Sequence, residues 1–244
     1  MFGISQLAKL WKLERVPEPE EMDEAEEVAS YSSAAAERHL DAIDNTFVEH
    51  LLRLLPARME TAMPPFGLDL GTGPAQIPIK LLVRIPKLRM IGLDRSANML
   101  ACARHNAQRA DVSDRLFLLR GDGHRLPFAD GTFSMAFCNS VLHHAREPVP
   151  LLQEIFRVAH PGAAVLVRDL RRPNRAFLRW HLCRHGRHYG GLMRRLFDAS
   201  VRSAYTREEL EAFLKQIRAS QQGPRAAVFR YRGAHLGLER AARR

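Results

Sequence analysis

The sequence predicts an α/β fold: a mostly parallel sheet with helices on both faces, closed by an antiparallel C-terminal hairpin. Three observations carry this. From about residue 67, short apolar runs alternate with stretches of helical periodicity. The segment Asp69-Leu-Gly-Thr-Gly73 stands where the first strand gives way to its helix. Two final strand-like runs, 226–231 and 235–239, are joined by the turn pair Arg232-Gly233.

Each element has its own signal. Ala36, Leu40, Ile43, Phe47, Leu51 and Leu54 recur at helical spacing over 33–55, and Pro56 and Pro64-Pro65 end that helix. Strands follow at 67–70, 88–93, 116–119 and 132–138, the last entered through Asp130-Gly131, with helices at 75–84, 97–108 and 148–158. Pro161-Gly162 turns the chain into a strand at 163–168. The next connection, 171–205, far exceeds the usual length of about 2–6 residues. It carries Phe177, Trp180, Leu182, Tyr189, Leu192, Met193, Leu196 and Phe197, so it is amphipathic and helical, broken at Gly190-Gly191. Thr206-Arg-Glu-Glu209 is a capping box that opens a helix to about residue 217. The chain thus divides into a helical arm over 1–60, interrupted by prolines at 17 and 19, and a main domain over 61–244 with an insertion at about 172–205.

Composition narrows the field. A chain of 244 residues is long enough for one well-buried α/β domain with an appendage. No apolar run approaches the ~20 residues of a membrane span, and Lys9, Lys12, Glu14 and Arg15 interrupt the N-terminal stretch, which does not read as a signal peptide. Cys102, Cys138 and Cys183 make no paired framework and read as reduced thiols of a cytoplasmic protein. The net charge of +10 is unevenly spread, with residues 14–27 acidic and 168–202 rich in arginine. Such a basic stretch serves as solvated surface, as the seat of an anionic ligand, or as a contact for the acidic arm, within one chain or across a homodimer.

Glycines directly after a strand let the backbone approach a ligand at a helix start, and an open α/β sheet binds ligands beyond the carboxyl ends of its strands. Asp69, Gly71, Thr72 and Gly73 stand there. A dinucleotide fingerprint would need glycine at position 76, where the chain has Gln76; this counts against a nicotinamide oxidoreductase. Asp94 ends the second strand, followed by Arg95 and, on the next helix, Met99. Arg120-Gly-Asp122-Gly-His124 follows the third strand, and Cys138-Asn-Ser-Val-Leu-His143-His144 the fourth. An acid at the end of each of three successive strands suits a cationic nucleoside ligand and would repel a pyrophosphate at the first turn.

On these residues the chain resembles the class I S-adenosylmethionine-dependent methyltransferases over about 69–173, most of all the type 11 branch that contains quinone-biosynthesis C-methyltransferases and small-molecule enzymes. The resemblance implies a seven-stranded Rossmann-like sheet and S-adenosyl-L-methionine as cofactor. It implies that Gly71, Thr72 and Gly73 cradle the methionine end, with Asp69 suited to the ammonium group. Asp94 would accept the ribose hydroxyls, Arg95 and Met99 would flank the nucleoside, and Asp122 would receive the adenine amine beside the Gly121 and Gly123 backbone. Asn139 and Ser140 would lie near the methionine moiety. Ala75 replaces the family's usual glycine, a change expected to cost little.

Methyl transfer to a small-molecule acceptor, an anionic one if the arginines meet it, is the activity implied. His143 and His144 are the candidates for a base, His144 being the better placed to face the acceptor. The arm and the insertion are expected to form a lid, with Tyr31, His144, Arg171 and Tyr189 lining the acceptor pocket. Nucleic acid is the rival acceptor, since arginine mixed with aromatics suits RNA, but the Asn139-Ser-Val-Leu sequence lacks the Asn-Pro-Pro-aromatic signature. A non-catalytic nucleotide-binding role is the other alternative. His181, His185 and His188 follow at steps of four and three, on one face of the expected helix; with no Cys-x-x-Cys or His-Glu-x-x-His, no metal is expected.

Overall fold

The computed structural model describes residues 11–18, 26, 29–30, 34–56, 65–220 and 225–243. Tyr31 lies outside them. Seven strands form one sheet in the order β3-β2-β1-β4-β5-β7-β6. They are β1 (Phe66–Leu70), β2 (Arg89–Asp94), β3 (Leu116–Arg120), β4 (Phe133–Asn139), β5 (Ala159–Leu170), β6 (Ala227–Tyr231) and β7 (His235–Arg240). The first five run parallel, β7 pairs antiparallel with β5, and β6 with β7. The helices are α1 (Ala34–Leu54), α2 (Gln76–Arg84), α3 (Ala97–Arg109), α4 (Pro148–Val158), α5 (Leu178–His185), α6 (Gly191–Ser203) and α7 (Arg207–Ser220).

The sheet is covered on both faces. On one face Phe47, Val48 and Leu51 of α1, with Leu81, Leu82 and Ala103 of α2 and α3, pack on Met90, Met135, Phe137 and Leu166. Phe47, Val48 and Leu51 are wholly buried, each worth about 1.5–3 kcal/mol relative to exposure. On the other face Leu152 and Ile155 of α4 and Leu210, Leu214 and Ile217 of α7 cover Leu68, Val165 and Val167. The capping box forms as expected: Glu209 N–H donates to Thr206 Oγ1 at 3.3 Å, and Thr206 N–H to Glu209 Oε2 at 2.8 Å.

Three expectations change. Strand β5 starts at Ala159 rather than after Pro161-Gly162, because Ala159 pairs with Phe133 before the register shifts and resumes at Met135 and Ala164. Helix α5 stops at His185, where Gly186 N–H donates back to Leu182 O at 2.8 Å, so His188 leaves the face of His181 and His185 and stacks on His39 of α1. The basic run is only partly surface. Arg168 is fully buried, donating to Asn139 Oδ1, Thr46 Oγ1 and the Ile43 carbonyl at 3.2, 3.0 and 2.9 Å, and it fastens α1 to the sheet. Arg172 is likewise buried, held by Ala204 O and Glu209 Oε1, each at 2.6 Å.

Candidate active site

Strand order reverses between β1 and β4, where an open sheet binds its ligand. The carboxyl ends of β1 to β4 open there into one cavity of about 1220 Å³.

The first turn is a left-handed one: Gly71, Gly73 and Ala75 have φ of 69°, 51° and 62°. Gly71 and Thr72 N–H both donate to Leu93 O, at 2.7 and 3.0 Å, which pins the turn to β2. A Cβ on Gly71 would stand 2.4 Å from Val141 Cγ2, whereas one on Gly73 would meet no protein atom within 4 Å. Gly73 therefore borders the cavity, and Gly71 is wedged against the wall. Ala75 is not as inexpensive as the sequence suggested, since a left-handed non-glycine residue costs about 1–2 kcal/mol.

Asp94 joins two turns: its carboxylate accepts from Gly73 N–H at 2.7 Å and Ser96 N–H at 3.0 Å. Ser96 in turn caps α3 by accepting from Met99 N–H at 3.0 Å, which sets Met99 on the cavity wall. Asp69 is buried and accepts from Thr72 Oγ1 at 2.9 Å. Burial pushes its carboxyl up to about 8; the Thr72 bond opposes this, and the nearby charges of Asp94 and Asp44 add to it. Burial likewise pushes Asp44, which α1 brings to the same cavity, up to about 7 against the pull of Lys80 and Arg168. Asp69 and Asp44 are thus buried carboxyl groups at one cavity with Asp94, and a ligand carrying an ammonium and a sulfonium would favour their ionised forms. The residues present therefore fit S-adenosylmethionine.

Asp122 sits on the rim. His124 N–H, Arg95 Nη2 and His124 Nδ1 meet its Oδ1 at 2.9, 2.7 and 2.9 Å. Partial burial opposes ionisation, but these contacts win and hold the carboxyl at about 2.

The far end is built from side chains. Ser140 takes φ of 58°, and its N–H donates to Arg168 O at 2.8 Å. A single 3-10 turn, Leu142–His144, carries both candidate histidines. His144 lines the cavity. His143 lies beneath it, buried, with Nδ1 at 2.6 Å from Asp169 Oδ1 and its backbone N–H donating to Oδ2 at 2.9 Å. Burial works against both charges, yet the contact raises the His143 imidazole above its ordinary value and lowers Asp169 below its own. The arm docks on this turn: Arg15 donates to the carbonyls of Ser203, His143 and Ala145 at 2.7, 2.8 and 3.1 Å and lies over the Tyr205 ring. Glu18 N–H donates to Ser203 Oγ at 3.2 Å.

Asp69, Gly71, Thr72, Gly73, Asp94, Arg95, Met99, Gly121, Asp122, Gly123, Asn139, Ser140 and His144 thus all line one cavity, and His143 supports it from below. Arg171 and Tyr189 are not among the lining residues: Arg171 donates to Gly233 O at 3.0 Å, and Tyr189 packs on Phe197 and His39. Sequence reasoning missed Asp44, Arg15, Glu18 and Asp169. Asp169 follows the motif strands and was within reach; the others had no local signal.

This strand order, with carboxyl groups at or just past the ends of the first three strands around one cavity, is the class I methyltransferase architecture. The plantazolicin methyltransferase BamL, solved with a triazolic desmethylPZN analog and SAH, superposes with a TM-score of 0.67 at 14% identity, over 88% of this chain and 90% of that one. A SAM-dependent methyltransferase from Aquifex aeolicus gives a TM-score of 0.55 at 18% identity, over 79% and 87%. Residues 68–167 match the type 11 family described as "Methyltransferase domain". The demethylmenaquinone methyltransferase of Lactiplantibacillus plantarum is 32% identical over 53% of this chain, and the ubiquinone/menaquinone biosynthesis C-methyltransferase UbiE of Roseobacter denitrificans 31% over 63%. The chain spans 55% and 62% of those two relatives' own lengths. The likeness to the type 11 methyltransferase family falls on residues 68–167, the strands and turns that build the cavity.

Proposed function

We propose that this protein transfers a methyl group from S-adenosylmethionine to a small-molecule acceptor by in-line displacement. One observation carries the reading: Asp69, Asp94 and Asp122 share a single cavity whose other end is His144. Its volume of about 1220 Å³ exceeds the usual ligand pocket of roughly 300–1,000 Å³, which leaves room for donor and acceptor together. Asp69 takes the donor's ammonium, Asp94 the ribose and Asp122 the adenine amine. The positive charge leaves sulfur as the methyl moves, so holding the acceptor in line and dry supplies much of the rate. The relative from Roseobacter denitrificans is a C-methyltransferase of quinone biosynthesis, which supports a carbon acceptor. Helix α1 lends Arg38, Leu40 and Asp44 to the cavity wall, and the arm docks through Arg15 on the 3-10 turn that carries His144. His144 is the group placed to receive an acceptor proton, and the His143 ring packs against it with centroids 4.1 Å apart.

Among the described residues no helix is long and apolar enough to cross a membrane. Titration calorimetry with S-adenosylmethionine and with its demethylated product tests the reading: each should bind once per chain, and Asp94→Ala should weaken both by about 10-fold or more, the loss of two charge-assisted hydrogen bonds that shape the site. Absence of heat and of thermal shift with both ligands would sink it.

A further inference from the structure

The buried Oε2 of Glu18 faces both histidines of the 3-10 turn: it lies 3.5 Å from His143 Nε2 and 3.8 Å from His144 Nδ1. Neither distance is that of a hydrogen bond. All three atoms lie within 4.8 Å of one another. A tetrahedral ion with bonds of about 2.0–2.2 Å to nitrogen and oxygen keeps its ligand atoms about 3.4 Å apart, so a small inward movement would close this set around one cation.

Two further features suit a metal. His143 is fixed by Asp169, which meets its Nδ1 at 2.6 Å; with Nδ1 donating, the neutral ring presents its Nε2 lone pair to Glu18. That carboxylate–histidine pairing is the outer support that metal-bound imidazoles usually have. Glu18 is held from outside the cluster as well: its Oε1 accepts from Ser200 Oγ at 3.3 Å, and Arg15 anchors the arm three residues earlier. The triad is therefore positioned by contacts that need no ion, and His144, alone of the three, also lines the cavity.

We propose that Glu18, His143 and His144 bind one borderline divalent cation of the first transition row, Zn²⁺ or Fe²⁺, between the N-terminal arm and the acceptor end of the cavity. Two imidazoles and one carboxylate suit these ions over Mg²⁺ or Ca²⁺. A fourth position, taken by an oxygen of water or of the acceptor, would complete the set. In the ion-bound protein His144 is a ligand, and the cation takes over the polarising of the acceptor that a base would otherwise provide. Cation binding stands apart from methyl transfer and is measured without donor or acceptor.

The test is elemental analysis of the full chain purified without chelators, followed by calorimetry of the chelator-stripped protein with ZnCl₂ and, under argon, with Fe²⁺. One ion per chain is expected. Glu18→Gln and His144→Ala should each weaken binding by about 100-fold or more, and Asp169→Asn, which removes only the outer support, by about 10–100-fold. Glu14→Gln, exposed on the same arm, should leave affinity unchanged. A cooperative thermal transition in each variant shows that the fold is intact. Substoichiometric metal in a folded, stripped and reloaded protein overturns the proposal. So does binding that is indifferent to both Glu18→Gln and His144→Ala, or a His143–His144–Glu18 cluster that responds only to protons.

Discussion

The two ends of the cavity are made differently. The donor end is made of main chain: left-handed glycines at 71 and 73, N–H groups of Gly71 and Thr72 on Leu93 O, and acids at strand ends whose partners lie nearby in sequence or on the adjacent strand. The proposed acceptor end rests on side chains gathered behind it from four remote stretches. Arg15 reaches the His143 carbonyl across 128 positions and Ser203 across 188, and Asp169 reaches His143 across 26. A site of the first kind fails when the backbone cannot take its conformation. One of the second kind fails when a buried polar partner is removed. Substitutions at the two ends should therefore separate donor affinity from stability.

The largest effect is expected at the donor turn. Gly71→Ala combines a left-handed residue with a Cβ 2.4 Å from Val141 Cγ2, a strain and overpacking cost of about 2–4 kcal/mol. It should lower both the melting temperature and donor affinity, the latter by on the order of 100-fold. Gly73→Ala, with φ of 51° and open space ahead, should cost the fold only about 1 kcal/mol yet still impair donor binding, because its methyl enters the cavity. Unaltered donor affinity in Gly73→Ala would place the donor elsewhere.

The acceptor end should show the reverse. Arg15→Ala removes bonds to three carbonyls and the stack on Tyr205. A stability loss of about 2–3 kcal/mol is expected, or a melting point lower by about 5–10 °C, with donor affinity within about 3-fold of the parent. Calorimetry and thermal unfolding on the same samples check the pair. A large loss of donor affinity in Arg15→Ala would erase the distinction between the two ends.

A smaller effect sharpens the donor end. With Asp69 pushed up to about 8 by burial, the free protein holds a proton there at pH 7. An incoming ammonium favours the carboxylate, so donor binding should release up to one proton and tighten as pH rises from 7 toward 8. Heats measured in two buffers of different ionisation enthalpy report the proton directly. Asp69→Asn should abolish the difference. The same group sets a stability slope. Its folded value exceeds the unfolded value of about 3.9, so the folded protein binds the extra proton, and Asp69's contribution falls as pH rises from about 4 to 8. Buffer-independent heats would mean that Asp69 never meets the donor's charge.

Much was legible because much is local. Alternating apolar runs marked strands β1 to β4 to within a residue or two. Thr206 and Glu209 announced α7, and the acid–glycine turn at 69–73 announced the donor site. Such signals reside in a few consecutive residues, whose φ preferences and period of burial suffice to express them. Where the reading changed, a distant partner was responsible. The charge of Arg168 suggested surface, but Ile43 and Thr46 bury it by taking its donors. His188 fitted a helical step, but Gly186 ended the helix, where a side chain would strike Phe197 at 2.8 Å.

The sheet, its glycine turn and the acids at its rim follow from neighbouring residues, since hydrophobic period and backbone conformation are local properties. That Arg15 and Glu18 cross to His143, and that α1 lends Asp44 to the cavity, emerges only in the folded chain. Those contacts join polar groups far apart in the chain, and their favourable energy exists only after the apolar core has drawn the segments together and excluded water from between them.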